Sequence, residues 1–309
     1  MIPLKAQEIY GTWATLFLPV REDESIDYAL LEDEIEHLLQ SGVNGIYTNG
    51  TAGEFYNQTE DEFDQLHDLL SRKCEEAQVP FQIGCGHMSP VISLERVKRA
   101  KSWKPSAIQV ILPDWNPPSS KETLIFLEKL AAWADPVGLV LYNPPHAKRV
   151  LLPHDFEKIL DAGIPLVGCK VAGGDDNWYK AMNGVLRNIS VFVAGHKLAT
   201  GIQQGAHGSY SNVACLNPTA AQLWYGMMLK NADAAVSMEK RIQSFFQDSI
   251  LPYITDYGYS NTAVDKFLAR IGGWCRIETR LKWPYRGIPE SDVDKVRKEA
   301  KEIIPEFIL

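Results

Sequence analysis

Short apolar segments alternate with longer amphipathic segments over the first two thirds of the chain. The apolar segments are bounded by Gly, Pro, Asn or Asp, which is typical of buried strands. The pattern predicts eight strands, with the sequences GTWATLFLP (11–19), GIYTNG (45–50), PFQIGCG (80–86), AIQVILP (107–113), GLVLYNPP (138–145), PLVGCK (165–170), SVFVAG (190–195) and GSYS (208–211).

Amphipathic segments separate these strands, with apolar residues at the spacing of one helical face. They predict helices at residues 28–40, 59–74, 93–103, 120–134, 153–162, 179–186 and 198–204. Regular alternation of strands and helices favours a parallel sheet, because parallel neighbours need crossover connections. Eight such units without a long linker predict an α/β fold, a closed (β/α)8 TIM barrel over residues 1–217.

No further strand is predicted from Pro218 onward. Residues 218–309 show only helical patterns, which predicts a C-terminal helical extension packed on the barrel and not a second catalytic domain. The segment ESDVDKVRKEAKEI (290–303) has the charge pattern of an amphipathic surface helix.

The composition is that of a globular protein, with 309 residues of which 45% are hydrophobic and 23% charged. The net charge of −8 disfavours nonspecific nucleic-acid binding, which needs a basic surface, but it allows a local cationic pocket for an anionic substrate. No apolar segment approaches the ~20 residues of a membrane span, and the N-terminal MIPLKAQEIYGTW lacks a secretory signal pattern. The five cysteines are scattered, as expected for reduced thiols. These features predict a cytoplasmic protein that binds neither nucleic acid nor membranes.

Lys170 ends the sixth predicted strand. Active sites of α/β barrels form at the C-terminal ends of the strands, where the segments NGTAGE (49–54), LPDWN (112–116) and YNPP (142–145) also fall. A lysine at such a position can simply extend to water. In an apolar barrel mouth, however, loss of solvent disfavours the ammonium form, and a neutral amine can attack a ketone to form a Schiff base. Convergence of the four segments favours the second interpretation.

Two neighbouring features would serve that chemistry. Tyr142, on the adjacent strand, has a hydroxyl that donates and accepts and can relay protons; the alternative is an aromatic ring that fills a strand end. The turn at residues 50–54 offers successive backbone N–H groups and the Thr51 hydroxyl to a carboxylate or phosphate, or it is only a turn. It is not a P-loop, because no Gly-Lys-Ser/Thr follows.

Four motifs occur together in an order and spacing that resemble one protein family. They are GTAGE (50–54), YNPP (142–145), Lys170 followed by a Gly-Asp element, and GAHGSYSNVACLNP (205–218). The chain resembles the dihydrodipicolinate synthase/N-acetylneuraminate lyase family, and the likeness extends from GTWATLFLP to AVDKFLARIGG (263–273). The resemblance implies a (β/α)8 barrel, usually a homotetramer, that binds pyruvate or another 2-oxo acid as a Schiff base. It implies no metal and no other cofactor.

The resemblance also implies roles for individual residues. Lys170 corresponds to the Schiff-base lysine, and Tyr142 corresponds to the proton shuttle. The other implied pocket residues bind the pyruvate carboxylate or line the pocket through their backbone: Thr51, Ala52, Ser209 and Tyr210.

Some positions depart from the family pattern. Ala52 stands where the family usually has Thr, so one carboxylate-binding hydroxyl is missing. Ala147 stands where the synthase has the arginine that holds its second substrate, and Trp115 stands where the synthase has a relay tyrosine contributed to the neighbouring subunit. These changes argue against dihydrodipicolinate synthesis. His196 lies in a cationic loop at a place where the sialic acid lyase carries acids. This loop favours an acidic or aromatic-acid substrate tail over a neutral polyol. His196 and Trp115 are predicted substrate-binding residues.

The seven histidines are dispersed and show no metal-ligand spacing, so no metal site is predicted. His37, His67 and His154 lie in or beside predicted helices and are expected at the surface. His146 and His196 could reach the mouth of the pocket.

Two functions stay open on the sequence alone. The first is a pyruvate-dependent class I aldolase or lyase that cleaves, condenses or dehydrates a 2-oxo acid, with an aldehyde or sugar-acid partner. The second is a non-catalytic or regulatory 2-oxo-acid-binding barrel, consistent with the lost hydroxyl at Ala52. The Lys170–Tyr142 pair favours the enzyme, because a pure binding site needs no proton shuttle beside an amine.

Overall fold

The computed structural model describes residues 1–309. The strands are β1 (Gly11–Thr15), β2 (Gly45–Tyr47), β3 (Phe81–Gly84), β4 (Ala107–Ile111), β5 (Leu139–Tyr142), β6 (Leu166–Lys170), β7 (Ser190–Phe192) and β8 (Gly208–Tyr210). The helices are α1 (Tyr28–Gln40), α2 (Glu60–Ala77), α3 (Pro90–Ala100), α4 (Ser120–Ala134), α5 (Pro153–Asp161), α6 (Asp176–Ala181), α7 (Asn183–Asn188), α8 (Leu198–Gln203), α9 (Asn212–Leu216), α10 (Pro218–Lys230), α11 (Ala232–Phe245), α12 (Leu251–Thr255), α13 (Asn261–Gly272) and α14 (Val293–Ile303).

The eight strands form a closed parallel barrel. Each strand pairs with its neighbour in sequence, and β1 pairs in parallel with β8 through Gly11–Gly208 and Trp13–Tyr210. This confirms the predicted TIM barrel. Apart from β6, each strand ends before its predicted end, because the last residues of the apolar segments form the loops at the C-terminal mouth of the barrel.

Aromatic side chains fill the barrel interior. The rings of Trp13, Tyr47, Phe192 and Tyr210 are buried, and they meet edge to face or tilted at centroid distances of 4.6 to 6.5 Å. The Tyr210 hydroxyl donates to Gln82 Oε1 at 2.6 Å, so its polar end is satisfied inside the barrel. These rings form the floor beneath the strand ends.

A β-bulge interrupts the pairing of β5 with β6. Leu139 pairs with Leu166, whereas the next residue, Val140, pairs with Gly168. Val167 is therefore an extra residue on β6. Since successive side chains of a strand point to opposite faces, one extra residue reverses the alternation of everything that follows it.

The bulge sets the direction of Lys170. In the observed register Lys170 pairs with Tyr142, so both side chains point into the barrel mouth. Continued pairing without the bulge would set Cys169 opposite Tyr142. Gly138 leaves the room that the bulge needs, because an added Cβ there would lie 2.3 Å from Cγ1 of Val167.

The helices agree closely with the predicted ones. α1 and α4 have the predicted bounds. At the start of α4, Ser119 Oγ accepts from the N–H of Glu122 at 3.3 Å and Glu122 Oε2 accepts from the N–H of Ser119 at 2.7 Å, which is a capping box. The helix predicted at 179–186 is two short helices, α6 and α7, that meet at Met182.

The C-terminal extension contains helices, as predicted, but it is not helical throughout. α13 ends at Gly272, and the C-cap residue Gly273 has a φ of 75°, in the left-handed region. Residues 274–289 then form no helix. Pro284 and Pro289 lack the N–H that a helix interior requires, and this signal was available in the sequence. The extension packs on the barrel, where Trp274 Nε1 donates to the carbonyl of Cys215 at 2.9 Å. The division of the chain into two parts at residue 217 stays a prediction.

All five cysteines are free and buried, in agreement with the prediction of unpaired thiols. None of the helices is both long enough and apolar enough to cross a membrane.

The surface position expected for His67 is wrong. Its side chain is fully buried, with Nδ1 2.6 Å from the carbonyl of Phe63 and Nε2 2.7 Å from Thr48 Oγ1. Burial lowers the pKa of His67 to about 3, so the ring is neutral. His67 lies on the apolar face of α2, and that helical spacing was the signal for burial.

A buried ion pair joins the turn at residues 50–54 to the C-terminal helices. Lys266 Nζ on α13 lies 3.3 Å from Glu54 Oε1, and the two side chains are 1% and 0% exposed. Lys266 also donates to the carbonyl of Arg280, and Glu54 Oε2 accepts from the N–H of Lys282 at 3.0 Å. Burial lowers the pKa of Lys266, and the Glu54 carboxylate opposes that shift. Two segments that carry the family resemblance are thus held together inside the protein.

Candidate active site

A cavity of about 610 Å³ opens at the C-terminal ends of the strands. Its inner wall comes from strand ends and the loops directly after them: Tyr47, Thr51, Ala52, Tyr142, Lys170 and Tyr210. Its outer wall comes from the helices of the extension, with five apolar residues (Phe246, Ile250, Leu251, Ile254 and Val264) and four polar ones (Gln243, Gln247, Asn261 and Asp265). The barrel alone therefore does not enclose the cavity.

The Lys170 amine lies among three aromatic rings of the inner wall. Its Nζ is 4.5 Å from the ring centroid of Tyr142, 5.1 Å from that of Tyr47 and 5.7 Å from that of Tyr210. The side chain is half-buried, with its end in the cavity. The rings restrict water around the amine while leaving one side open to a ligand.

The turn after β2 presents polar groups to the same space. Thr51 Oγ1 lies 3.2 Å from Tyr142 Oη. The N–H groups of Gly53 and Glu54 close the turn on the carbonyls of Gly50 and Thr51, whereas those of Thr51 and Ala52 have no backbone acceptor. Two free amides and a hydroxyl in one turn are suited to a carboxylate.

Both histidines expected near the pocket mouth line the cavity. His146 is exposed, and His196 is half-buried. The ring of His196 stacks on Phe246, with centroids 5.6 Å apart and an interplanar angle of 25°. Burial and the neighbouring Lys197 lower the pKa of His196, which favours the neutral ring at pH 7.

Two of the predicted site residues do not line the cavity. Ser209 is fully buried in β8, and its hydroxyl has no hydrogen-bond partner. Trp115 is 75% exposed and lies against Lys148, whose Nζ is 4.9 Å from its ring centroid. The other six predicted residues meet in the cavity: Thr51, Ala52, Tyr142, Lys170, His196 and Tyr210.

Asp265 is a cavity residue to which sequence analysis assigned no role. It lies on α13, is half-buried, and lines the same space as Lys170. Burial raises the pKa of its carboxyl to about 7, and the positive charge of Lys170 opposes the shift. The signal was an acid within the apolar pattern AVDKFLARIGG, next to the buried Lys266.

The pKa of Asp265 predicts a pH-dependent stability. An unfolded Asp has a pKa of about 3.9, so between pH 4 and 7 the folded protein holds a proton that the unfolded chain lacks. Stability from this group is therefore complete below pH 4 and is lost as the pH rises through 7, at a rate of at most about 1.4 kcal/mol per pH unit. Relative to Asp265→Asn, the wild-type free energy of unfolding should fall between pH 5 and pH 8 in urea titrations. Parallel pH profiles for the two proteins would contradict the assignment.

The dihydrodipicolinate synthetase family model matches residues 8–301 of this chain. The chain is similar to the 4-hydroxy-tetrahydrodipicolinate synthase of Coxiella burnetii, with 29% identity over 168 residues, or 53% of this chain and 56% of the relative. The chain thus spans little more than half the length of the first curated relatives it matches.

Solved structures share the fold. YagE, a prophage protein of the dihydrodipicolinic acid synthase family from E. coli K12 in complex with pyruvate, has a TM-score of 0.82 and 18% identity, over 96% of this chain and 98% of that one. The N-acetylneuraminate lyase of Proteus mirabilis has a TM-score of 0.81 and 20% identity, over 96% of this chain and 99% of that one. At these identities the likeness shows the barrel fold alone.

Proposed function

Because the chain belongs to the dihydrodipicolinate synthetase family, we propose that it is a lyase of the class I aldolase type that forms a Schiff base between Lys170 and a 2-oxo acid. The observation that carries the proposal is one cavity holding an amine, a hydroxyl relay and two free amides, from Lys170, Tyr142 and the Thr51–Ala52 turn. A site that only bound a 2-oxo acid would not need the relay beside the amine.

The proposed reaction uses pyruvate as the first substrate. The Lys170 amine attacks C2 of the keto acid, and loss of one water gives a protonated imine. This cation accepts the electron pair left when a proton departs from C3, which gives an enamine. The enamine carbon attacks an aldehyde, whose oxygen takes up a proton. One water then releases a 4-hydroxy-2-oxo acid and restores the amine, so no oxidant or reductant is needed, and the reverse sequence is cleavage.

Tyr142 and the turn at Thr51 have separate tasks in this proposal. The Tyr142 hydroxyl is 3.2 Å from Thr51 Oγ1, and the pair passes protons to and from the reacting atoms. The free N–H groups of Thr51 and Ala52 hold the carboxylate of the 2-oxo acid. Since Ala52 has no hydroxyl, the carboxylate depends on these amides and on Thr51.

Dihydrodipicolinate synthesis itself is not part of the proposal. The basic residues near the position of the synthase arginine are engaged outside the cavity. Arg149 donates to Ser120 Oγ at 2.9 Å, and Lys148 Nζ donates to the carbonyl of Trp115 at 3.0 Å. Neither cation lines the cavity, so a second substrate with a carboxylate would lack that partner. A homotetramer or dimer remains part of the proposal, with the exposed Trp115 available to a neighbouring copy.

Trapping with borohydride tests the proposal directly. The full chain is incubated with pyruvate and sodium borohydride, and intact mass followed by peptide mapping locates the adduct. We expect a single stoichiometric adduct of reduced pyruvate on Lys170. A control without pyruvate corrects for reduction alone, and the exposed lysines of the same digest show the background of nonspecific imines.

The outcomes separate the two candidate functions. An adduct confined to Lys170 supports the aldolase chemistry, and pyruvate consumption with a panel of aldehydes then follows. No adduct with pyruvate or with longer 2-oxo acids, in a protein that remains folded, would overturn the Schiff-base proposal. The barrel would then be a 2-oxo-acid-binding protein without turnover.

A further inference from the structure

One hydroxyl of the C-terminal extension is bonded to the turn at residues 50–54. Thr262, the second residue of α13, is 1% exposed, and its Oγ1 donates to the carbonyl of Thr51 at 3.0 Å. The same Oγ1 lies 3.1 Å from Tyr56 Oη. A hydroxyl has one proton and a carbonyl only accepts, so Thr262 donates to Thr51 and accepts from Tyr56. Tyr56, Thr262 and the Thr51 carbonyl thus form one hydroxyl chain with a fixed direction.

Tyr56 is held in its role as the first donor. Burial raises the pKa of Tyr56 to about 12, so the phenol keeps its proton at neutral pH. Its ring meets the Tyr285 ring edge to face at a centroid distance of 5.0 Å. The next residue, Asn57, donates through Nδ2 to the carbonyl of Trp283 at 2.8 Å. The non-helical segment 274–289 therefore fixes Tyr56 beside α13.

The Thr51 carbonyl, where the hydroxyl chain ends, shares its peptide group with the N–H of Ala52. It also accepts from the N–H of Glu54 at 3.1 Å, so two donors polarise one peptide group. Donation to a carbonyl strengthens the N–H of the same peptide as a donor, because successive hydrogen bonds polarise one another. The Ala52 N–H has no backbone acceptor, and Ala52 lines the cavity. The hydroxyl chain thus acts on an amide that is free for an anionic ligand.

We infer that Thr262 and Tyr56 are positioning residues for the carboxylate of the first substrate. Neither of them lines the cavity, so both act through the Thr51–Ala52 peptide, whose plane and polarity they set. Since residue 52 is Ala, the N–H is its only donor, and the direction of that N–H decides how well a carboxylate is held. The inference rests on the proposed function, which assigns the carboxylate to this turn.

Thr262→Val and Thr123→Val form a matched pair for the test. Thr123 on α4 is also buried, and its Oγ1 donates to the carbonyl of Ser119 at 2.9 Å. Calorimetric titration with oxamate measures carboxylate binding without imine formation, because oxamate has an amide in place of the ketone of pyruvate. Thr262→Val should bind oxamate about fivefold more weakly than the wild type, a size within the range for one hydrogen bond. Thr123→Val should bind it like the wild type, and melting temperatures show that both variants are folded.

Two more variants test the order of the hydroxyl chain. Thr262→Ser keeps the hydroxyl and should restore oxamate affinity to that of the wild type. Tyr56→Phe removes only the first donor, leaves the buried Thr262 in place, and should weaken oxamate binding about twofold. In the Thr262→Val background Tyr56→Phe should have no further effect, because Tyr56 acts through Thr262.

Borohydride trapping over a range of pyruvate concentrations keeps this inference separate from the Schiff-base proposal. Thr262→Val should need about fivefold more pyruvate for half-saturation, with the same adduct on Lys170 at saturation. No adduct in any of the proteins would overturn the Schiff-base proposal alone, and the oxamate titrations would still test the turn. Equal oxamate affinity in Thr262→Val and Thr123→Val, no oxamate binding by the wild type, or failure of Thr262→Ser to restore affinity would overturn the inference, whatever the trapping result.

Discussion

Lys170→Met should lower the exchange of pyruvate methyl protons for deuterium to the rate in buffer, a loss of about 10³-fold or more. In the proposed mechanism, exchange at C3 requires the enamine, which forms when the protonated imine on Lys170 accepts the electron pair left by the departing C3 proton. The assay follows the pyruvate methyl signal by NMR in D2O and needs no aldehyde. It is therefore independent of the identity of the second substrate.

The fold should survive this change. Met has nearly the volume of Lys, and the three rings around Lys170 Nζ offer an apolar surround for its thioether. The melting temperature should stay within a few degrees of the wild type. Lys180→Met, at an exposed position on α6, is the matched control and should retain full exchange. Persistent exchange in Lys170→Met would assign the chemistry to another group.

Lys266→Met, unlike Lys170→Met, should chiefly lower stability, with a loss of about 3–5 kcal/mol in the free energy of unfolding. The substitution leaves the Glu54 carboxylate, which is 0% exposed, without its cation. Glu54 retains only neutral donors such as the N–H of Lys282, and an unpaired charge in the core is the costly state. Thermal and urea unfolding followed by circular dichroism measure the loss.

Lys73→Met is the control for removal of a lysine from an ion pair. Lys73 contacts Glu32 and Glu36 at 2.6 and 2.8 Å on the surface, where such pairs contribute about 0–1 kcal/mol. Adding Glu54→Gln to Lys266→Met should restore part of the stability, because it removes the stranded charge. Equal losses for Lys73→Met and Lys266→Met would refute the account of the buried pair.

The barrel was predictable because its signal is repeated eight times. Each strand is a short apolar run bounded by turn residues, and each helix has one apolar face, so a misjudged boundary does not alter the topology. The less accurate predictions concern features that no repeated pattern of apolar and polar residues marks. Residues 274–289 were expected to be helical although Pro284 and Pro289 oppose it, and His67 was expected at the surface although its neighbours on α2 are buried.

The candidate site was predictable only for groups that the strands carry. Lys170, Tyr142 and Thr51 follow from the rule that strand ends converge. Asp265 and the rest of the outer wall come from helices more than 70 residues beyond the last of these, and no local pattern shows which face of those helices closes the cavity. Trp115 was predicted to touch substrate because it stands where the synthase has a relay tyrosine contributed to the neighbouring subunit; its side chain is 75% exposed in the single chain, and its role stays a prediction.

Because of the extra residue on β6, the direction of the Lys170 side chain depends on the number of residues in that strand. A single-residue deletion between Leu166 and Cys169 would remove the extra residue and still leave Lys170 opposite Tyr142, whereas a single-residue insertion there would need a second bulge to keep the amine in the barrel mouth. Gly138, next to β5, makes room for this extra residue although it bears no functional group. Any larger residue at position 138 would crowd Val167. A transplant of this chemistry to another barrel would thus have to move two adjacent strands as one unit. Near β6, natural deletions of one residue should therefore be tolerated better than insertions of one residue.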